Sequence, residues 1–119
     1  MSNPNKAKGT AFESAVRDYL ASELADVPGV EPRRVAQEGY RDTGDIHGVD
    51  PFIIQAKAWR DTTAALREGV AGAAVQAQHA GRPFGVAVIK RPRKPVADAV
   101  VAMRLSDFAR LLRRMHDAG

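Results

Sequence analysis

Three polar side chains in the middle of the chain have the types and spacing that metal-assisted chemistry requires. Asp45 follows a glycine, and a turn separates it from an apolar run that carries Gln55 and Lys57. In a β-strand, successive side chains alternate between faces, so Gln55 and Lys57 are predicted to project to one side and Phe52, Ile54 and Ala56 to the other. A lysine in an apolar strand is costly without an anionic partner, and Asp45 is the candidate partner. A bound metal ion or phosphate would complete the arrangement.

A fourth polar side chain, Glu13, lies inside the apolar stripe of a helix predicted over residues 10–24. Apolar residues recur there at helical spacing, and at ~100° per residue Glu13 projects between Leu20 and Leu24. Two interpretations stay open for this acid. It either pairs with Arg17 one turn later or points at a cation in the interior.

The elements that must position these residues follow from hydrophobic periodicity and turn signals. The order αβββαββα predicts a small α/β domain on a mixed central sheet flanked by helices. Strands are predicted over residues 34–40, 45–49, 52–59, 84–90 and 99–104, and helices over 10–24, 62–80 and from a capping Ser106 onward.

The two later helices are predicted to pack through apolar faces. The alanine-rich helix over 62–80 has small residues that permit close packing, and its apolar side is predicted from Leu66, Val70 and Val75. The last helix is predicted to turn a regular stripe inward, formed by Phe108, Leu111, Leu112 and Met115. Both helices are also candidate surfaces for contact with a second subunit.

Composition limits the class of protein. A chain of 119 residues is long enough for one core, and we expect a flexible basic arm over residues 1–8 and one folded domain over 9–116. No apolar run approaches the ~20 residues that span a bilayer, and the absence of cysteine excludes disulfides and cysteine-based zinc sites. We therefore expect a cytoplasmic protein without membrane contact. The net charge of +4 favours a polyanionic partner, nucleic acid first.

Other motifs point away from alternative chemistries. His47, His79 and His116 are far apart without zinc-type spacing, which argues against a histidine-centred site. The chain has no phosphate-binding loop, no G-x-S-x-G motif and no dinucleotide fingerprint. Gly69 and Gly72 are interpreted as two glycines without a role in a motif.

Taken together, the helix glutamate, the strand aspartate and the Gln-x-Lys strand resemble the PD-(D/E)xK nuclease superfamily. The likeness is greatest to the small Holliday-junction resolvases of archaea and of actinobacterial phages, and it spans residues 6 to about 114. The residues that carry it are Lys8-Gly9, Glu13, Asp45, Gln55-Ala56-Lys57 and the run over 84–90.

The resemblance implies a fold, a cofactor and a set of site residues. The fold would be a single-domain restriction-endonuclease-like αβββαβ core, and the cofactor Mg²⁺, for which Mn²⁺ would substitute. Carboxylate, amide and carbonyl oxygens are the ligands that Mg²⁺ prefers, and an ammonium group beside the attacking water stabilises developing charge. The implied catalytic residues are Glu13, Asp45, Gln55 and Lys57, and the implied metal ligands are Glu13, Asp45, Gln55 and the Ala56 carbonyl.

Two positions depart from the superfamily pattern. Gly44 stands where proline usually precedes the aspartate, and Gln55 stands where glutamate or aspartate is usual. Restriction enzymes of the Mrr type also carry Gln-x-Lys, so glutamine does not imply an inactive site. It removes one negative charge, which should weaken binding of a divalent metal.

The expected function is a metal-dependent, structure-selective DNA endonuclease, a Holliday-junction resolvase acting as a homodimer on four-way junctions. Two alternatives stay open: a restriction or repair nuclease of the same fold that cuts duplex DNA, and a noncatalytic nucleic-acid-binding module. The predicted DNA-binding residues are Lys6, Lys8, Arg34, Arg41, Arg60, Lys90, Arg91, Arg93 and Lys94.

Three further residues have two interpretations each. Asp42 and Asp50 are predicted to hydrogen-bond their own backbone in turns, with Asp42 as a spare metal ligand. Trp59 either packs partly in the core or stacks on an unpaired base.

Overall fold

A five-stranded mixed sheet forms the centre of the protein. Its structure is a computed structural model that describes residues 4–36 and 42–118, with side chains from Ala7 onward. The strands lie in the order β1-β2-β3-β4-β5; β3 and β4 are parallel, and the other neighbouring pairs are antiparallel. In chain order the elements are α1 (Pro4–Glu23), β1 (Arg33–Arg34), β2 (Ile46–Val49), β3 (Phe52–Lys57), α2 (Thr62–His79), β4 (Phe84–Ile89), a 3₁₀ turn (Val96–Asp98), β5 (Val100–Ala102) and α3 (Leu105–Ala118).

The predicted α/β class, the mixed sheet and the element order are confirmed. The parallel β3–β4 pair requires a crossover, and α2 supplies it. β4 is buried along its whole length, as its continuous apolar run predicts. The finer identification as a restriction-endonuclease-like core stays a prediction.

The N-terminal elements differ from the prediction in their bounds. Helix α1 begins at Pro4, six residues before the predicted start, so residues 4–8 of the predicted arm continue the helix. A proline fits there because the first turn of a helix does not need its N–H group. Strand β1 has only two residues, and positions 37–40 of the strand predicted over 34–40 lie outside the described residues.

One face of the sheet packs against α1. Phe12 and Val16 of the helix are buried against Ile46, Ile54 and Val86 of three different strands. Ile54 and Ala56 belong to this face, so the predicted alternation along β3 is confirmed.

The opposite face packs against α2 through small residues, which corrects the predicted apolar side of that helix. Leu66 and Val75 are exposed, and only Val70 of the three predicted residues packs against a buried cluster. The helix lies so close to β4 that a Cβ atom at Gly85 would overlap the Ala73 carbonyl oxygen. The residues of α2 that are buried in this contact are Ala65, Gly69, Ala73, Gln76 and Ala77.

The last helix departs most from the prediction. It begins at Leu105, so Ser106 lies within it rather than capping it. The predicted inward stripe is wrong, because Phe108, Leu112 and Met115 are exposed. Asp107 is the buried residue of this helix, and the prediction missed it since a charged residue is rarely inside.

Asp107 orients Arg110, the residue through which α3 contacts Pro83 and Phe84. It accepts hydrogen bonds from Arg104 at 2.9 Å and from Arg110 at 3.0 Å. Arg110 also donates to the Pro83 carbonyl oxygen and lies over the Phe84 ring. The hydrogen bond from Arg104 is the main reason that the pKa of Asp107 lies below its usual range.

Within the described residues, no helix combines the length and the apolar character needed to cross a membrane.

Candidate active site

The predicted site residues converge on one cleft of about 870 Å³ at the end of β3. All four predicted catalytic residues and Ala56 line it, although they come from α1, the start of β2, and β3. The lining residues used below are Lys8, Glu13, Arg34, Asp42, Asp45, Gln55, Ala56, Lys57, Trp59 and Arg60.

Strand pairing holds Asp45 against the edge of β3. Its backbone N–H donates to the Ile54 carbonyl oxygen at 2.9 Å, and its Oδ2 accepts from the Ala56 N–H at 2.8 Å. The N–H and C=O groups of one strand residue point to the same edge, so the Ala56 carbonyl also faces Asp45. The two predicted oxygen donors are therefore neighbours.

Burial makes the carboxylate of Asp45 unusually basic. Its pKa is raised to about 6, mainly because burial disfavours the charged form. The hydrogen bond from Ala56 lowers this pKa, the charges of Glu13 and Asp42 raise it, and Lys57 lowers it. A cation at this position would relieve the repulsion among the three acids.

Gln55 is a buried polar residue of the cleft, at 8% exposure, and its Oε1 atom has no hydrogen-bond partner among the described residues. The side chain extends towards α2, where a Cβ atom at residue 72 would lie 2.7 Å from Oε1. Gly72 is thus the residue that makes room for Gln55, a role that the sequence interpretation of the two glycines missed.

Lys57 lies on the same face of β3 as Gln55, the face that packs against α2. It lies beside Gly69, one helical turn before the Gly72 that contacts Gln55. A Cβ atom at Gly69 would lie 3.0 Å from Ala87 Cβ and 3.3 Å from Ile89 Cδ1, so this glycine makes room mainly for β4, while Lys57 Cγ would be at an ordinary contact distance of 3.4 Å. The Nζ atom lies 4.5 Å from the centroid of the Trp59 ring, which is 39% exposed. Among the described residues, Lys57 and Asp45 do not form the predicted ion pair. An aromatic face provides the electrostatic partner instead.

Glu13 faces the cleft from the α1 side and is paired across elements rather than along its own helix. Arg34 donates to it at 3.1 Å, whereas Arg17 pairs with Asp18. The alternative of a Glu13–Arg17 pair is therefore wrong. Arg34 lines the cleft but is an exposed residue of β1, so the alternative of a cation in the interior is also wrong.

The turn before β2 fixes where Asp45 begins its strand. Asp42 Oδ1 accepts from the Gly44 N–H at 2.9 Å, which confirms its predicted turn role. Gly44 has φ +97°, and a Cβ there would lie 3.0 Å from Ile53 Cδ1. Proline, which is usual at this position in the resembled superfamily, cannot adopt that φ. It also lacks the N–H group that donates to Asp42. Asp50 pairs with Arg82 at 2.7 Å instead.

Three polar side chains that sequence reasoning assigned no role hold this turn. Gln76 donates to Asp42 Oδ2 at 2.7 Å, His79 Nδ1 donates to the Asp42 carbonyl oxygen at 2.8 Å, and His47 Nε2 donates to the Thr43 carbonyl oxygen. The available signal was Gln76 itself, a long polar residue four positions after Gly72 on a helix face of small residues.

A second, basic cavity of about 230 Å³ adjoins the cleft through Lys8, which lines both. Its other cations, Lys90, Arg91 and Lys94, belong to the loop that follows β4, and the Lys90 N–H donates to the Lys57 carbonyl oxygen. None of these four cations forms an ion pair within the described part of the chain.

The remaining predicted DNA-binding residues are placed less closely. Arg60 lines the cleft, and Arg93 is exposed at a turn position with φ +60°. The Lys6 side chain and Arg41 lie outside the described residues.

The donor set of the cleft fits a hard divalent cation. Asp45 offers a carboxylate and Ala56 a carbonyl oxygen, both of the type that Mg²⁺ prefers, and the buried Gln55 Oε1, which lies against α2 at Gly72, would have to turn towards Asp45 to join them. Over residues 4–36 and 42–118, no three carboxylate or imidazole side chains come close enough to hold one metal ion. Neutral oxygens would therefore have to share the coordination with Asp45.

A scan against protein-family models, a search of curated proteins and a search of solved structures each returned no match for this chain.

Proposed function

We propose that this protein is a Mg²⁺-dependent DNA endonuclease that resolves four-way junctions. The observation that carries the proposal is the Asp45 carboxylate, partly buried and bonded to the backbone of β3 between Gln55 and Lys57. A carboxylate with its pKa raised to about 6 is costly to keep ionised, and a bound cation offsets that cost. The resemblance in motif order and spacing adds the reaction class.

Each residue of the cleft has a separate task in this proposal. Asp45, Gln55 and the Ala56 carbonyl would hold Mg²⁺, which supplies charge stabilisation at the phosphate and a more acidic water. The ammonium group of Lys57 would move from the Trp59 ring to the phosphate, where it would stabilise the developing negative charge. Glu13 could serve as a further metal ligand only if it released Arg34, which would then be free to contact a phosphate.

The DNA backbone is proposed to run from the cleft into the basic cavity. Lys8 contributes to both, and the loop that carries Lys90, Arg91 and Lys94 is hydrogen-bonded to the end of β3. Cations without acidic partners attract phosphates regardless of base sequence. This arrangement suits an enzyme that recognises branched DNA by shape.

Paired cuts at a junction require two subunits, because the described part of one chain contains one such cleft. The exposed residues Leu105, Phe108, Leu112 and Met115 recur at alternating spacings of three and four, a pattern that lets two copies of a helix pack together. We place the partner subunit on this stripe. Such a dimer would work in the cytoplasm of a bacterium or phage-infected cell.

One observation favours a second candidate function, a noncatalytic nucleic-acid-binding module. Glu13 is neutralised by Arg34, and Gln55 is uncharged, so among the described residues Asp45 is the one carboxylate bonded to β3 at the cleft. A site with this little negative charge binds Mg²⁺ weakly. The basic cavity would bind DNA in either case.

Cleavage of synthetic four-way junctions and of matched linear duplexes, with Mg²⁺ or with EDTA, separates the candidates. Metal-dependent nicking of the junction alone supports the resolvase. Cutting of the plain duplex supports a restriction or repair nuclease of the same fold, and tight binding without any cutting supports the binding module.

Variants of the two central residues test the site assignment. Asp45→Asn and Lys57→Ala should each abolish cleavage, while the folded structure and most of the junction binding persist. Arg113→Ala, on exposed α3, is the control and should cut as the parent does. Retained cleavage by either central variant would falsify the assignment.

Restoring the usual acidic residue tests the role of Gln55. Gln55→Glu should lower the Mg²⁺ concentration needed for half-maximal cleavage, because a carboxylate binds Mg²⁺ more tightly than an amide. An unchanged Mg²⁺ dependence would show that this side chain is not a ligand.

A further inference from the structure

We propose that Gln76 is a positioning residue of the cleft, acting through Asp42 to hold the turn that delivers Asp45. The inference rests on the proposed function, since it assigns to α2 a part in the same site. Gln76 itself does not line the cleft, so it is not proposed to touch metal or DNA.

Two hydrogen bonds connect Gln76 to Gly44, and Gly44 precedes Asp45 in the chain. Gln76 Nε2 donates to Asp42 Oδ2 at 2.7 Å, and Asp42 Oδ1 accepts from the Gly44 N–H at 2.9 Å. The next N–H, that of Asp45, donates to Ile54 of β3. Movement of the Asp42 side chain would therefore shift Asp45, whose carboxylate accepts a hydrogen bond from the Ala56 N–H of β3.

Gln76 is a poor choice for packing alone, which argues for a role beyond the core. It is 4% exposed, and its Oε1 atom has no hydrogen-bond partner within residues 4–36 and 42–118, which costs about 1–3 kcal/mol. A leucine of similar volume would avoid that cost. The amide cannot turn over to improve matters, because its oxygen would then face the carboxylate of Asp42.

The neutrality of the donor matters as much as its position. An arginine or lysine at residue 76 would hold Asp42 equally well but would cancel its charge. A neutral amide leaves that charge at the cleft, which Asp42 lines together with Asp45. Gln76 thus fixes the turn without weakening the attraction for a cation.

Exchange of donor and acceptor tests the contact directly. Gln76→Glu places two carboxylates together and should lower kcat/KM at limiting Mg²⁺ by about 10- to 100-fold, as loss of outer-shell support does. Adding Asp42→Asn restores one donor and one acceptor and still accepts from Gly44. The double variant should recover to within about threefold of the parent, since coupled residues are non-additive.

Gln78→Glu is the matched control, because residue 78 is exposed on the same helix and gains the same charge. It should leave kcat/KM unchanged. If Gln76→Glu also leaves the Mg²⁺ dependence unchanged, or if Asp42→Asn does not rescue it, the positioning role is overturned.

Amide NMR separates this result from a failure of the proposed function. The Gly44 and Ala56 N–H groups bond to Asp42 and Asp45, so their resonances should shift in folded Gln76→Glu and return in the double variant. A parent chain that cuts no DNA would refute the nuclease and leave this readout in place. Unshifted amides in a folded Gln76→Glu protein would refute the positioning role alone.

Discussion

The cleft and the last helix break the same rule of protein architecture in opposite directions. Beside the cleft, Gln55 and Gln76 are buried, and each has an amide oxygen that finds no partner in the described part of the chain. On α3, Leu105 is 80% exposed and Met115 is 61% exposed. Both arrangements cost stability in the isolated chain, because buried polar atoms need partners and exposed apolar surface orders water.

The two violations indicate different kinds of missing partner. The unpaired amide oxygen of Gln55, a residue that lines the cleft with Asp45, suits a hard cation, whereas an exposed apolar stripe suits another protein surface. Sites that perform functions are where local rules are broken. Replacements that repair each region are therefore expected to stabilise or spare the monomer and to remove a function.

The largest expected effect is at the turn that delivers Asp45. Gly44→Pro, the residue usual in the resembled superfamily, should destabilise the protein by about 2–3 kcal/mol, because proline cannot adopt φ +97° and lacks the N–H that binds Asp42. Urea unfolding measures the loss. Gly9→Ala, in α1 with no described atom within 4 Å of the added Cβ, should stabilise by about 0.5–1 kcal/mol instead.

The next largest effect is the gain in stability expected when the buried charge of Asp45 is removed. The pKa of Asp45 is about 6 in the folded protein, against 3.8 for an unperturbed aspartate, so the folded state binds the extra proton between those values. Stability therefore falls as the pH rises from about 4 to 6, and metal-free Asp45→Asn should be more stable at pH 7 by on the order of 2 kcal/mol.

Unfolding of Asp45→Asn and the parent across about pH 3.5–7.5 measures this difference. The advantage of the variant should vanish below about pH 4, where the aspartate is protonated in both states. Mg²⁺ should narrow the difference at pH 7 by stabilising only the parent. A variant less stable than the parent at pH 7 would mean that Asp45 is not strained by burial.

A smaller gain is expected from filling the place of the orphaned amide. Gln55→Leu removes a buried acceptor that lacks a partner among the described residues. It should raise the free energy of unfolding by about 1 kcal/mol, while abolishing cleavage. Thermal unfolding and the junction assay are measured together. A loss of stability would indicate that Gln55 Oε1 has a partner, such as a buried water, in the metal-free protein.

The smallest effect on the monomer is expected at α3. Leu112→Ser with Met115→Ser should change the free energy of unfolding by less than about 0.5 kcal/mol, because both side chains are exposed. The same variant should lose self-association in sedimentation experiments. Val16→Ser, buried on α1, is the contrasting control and should cost about 2 kcal/mol or more. If the parent protein is already monomeric in this experiment, the proposal that a second subunit binds this stripe is wrong.

The predictions from sequence were correct where local pattern and tertiary packing agree. The period-two alternation of β3 placed Gln55 and Lys57 on one face correctly, because both faces of a central strand are buried and fix its register. The same logic failed on α2, where Leu66 and Val75 marked an apolar side that is exposed. There the close approach of β4 selects small residues, a requirement invisible in hydrophobicity alone.

The amino-acid sequence by itself determined the order of elements, the mixed sheet and the convergence of Asp45, Gln55 and Lys57, since all of these follow from periodicity and short-range spacing. Only the tertiary structure decided that Gln76 on α2 holds Asp42, 34 residues earlier in the chain. It alone also showed that the stripe of α3 faces outward. Contacts between distant segments depend on how the elements pack against one another, and no local pattern encodes that packing.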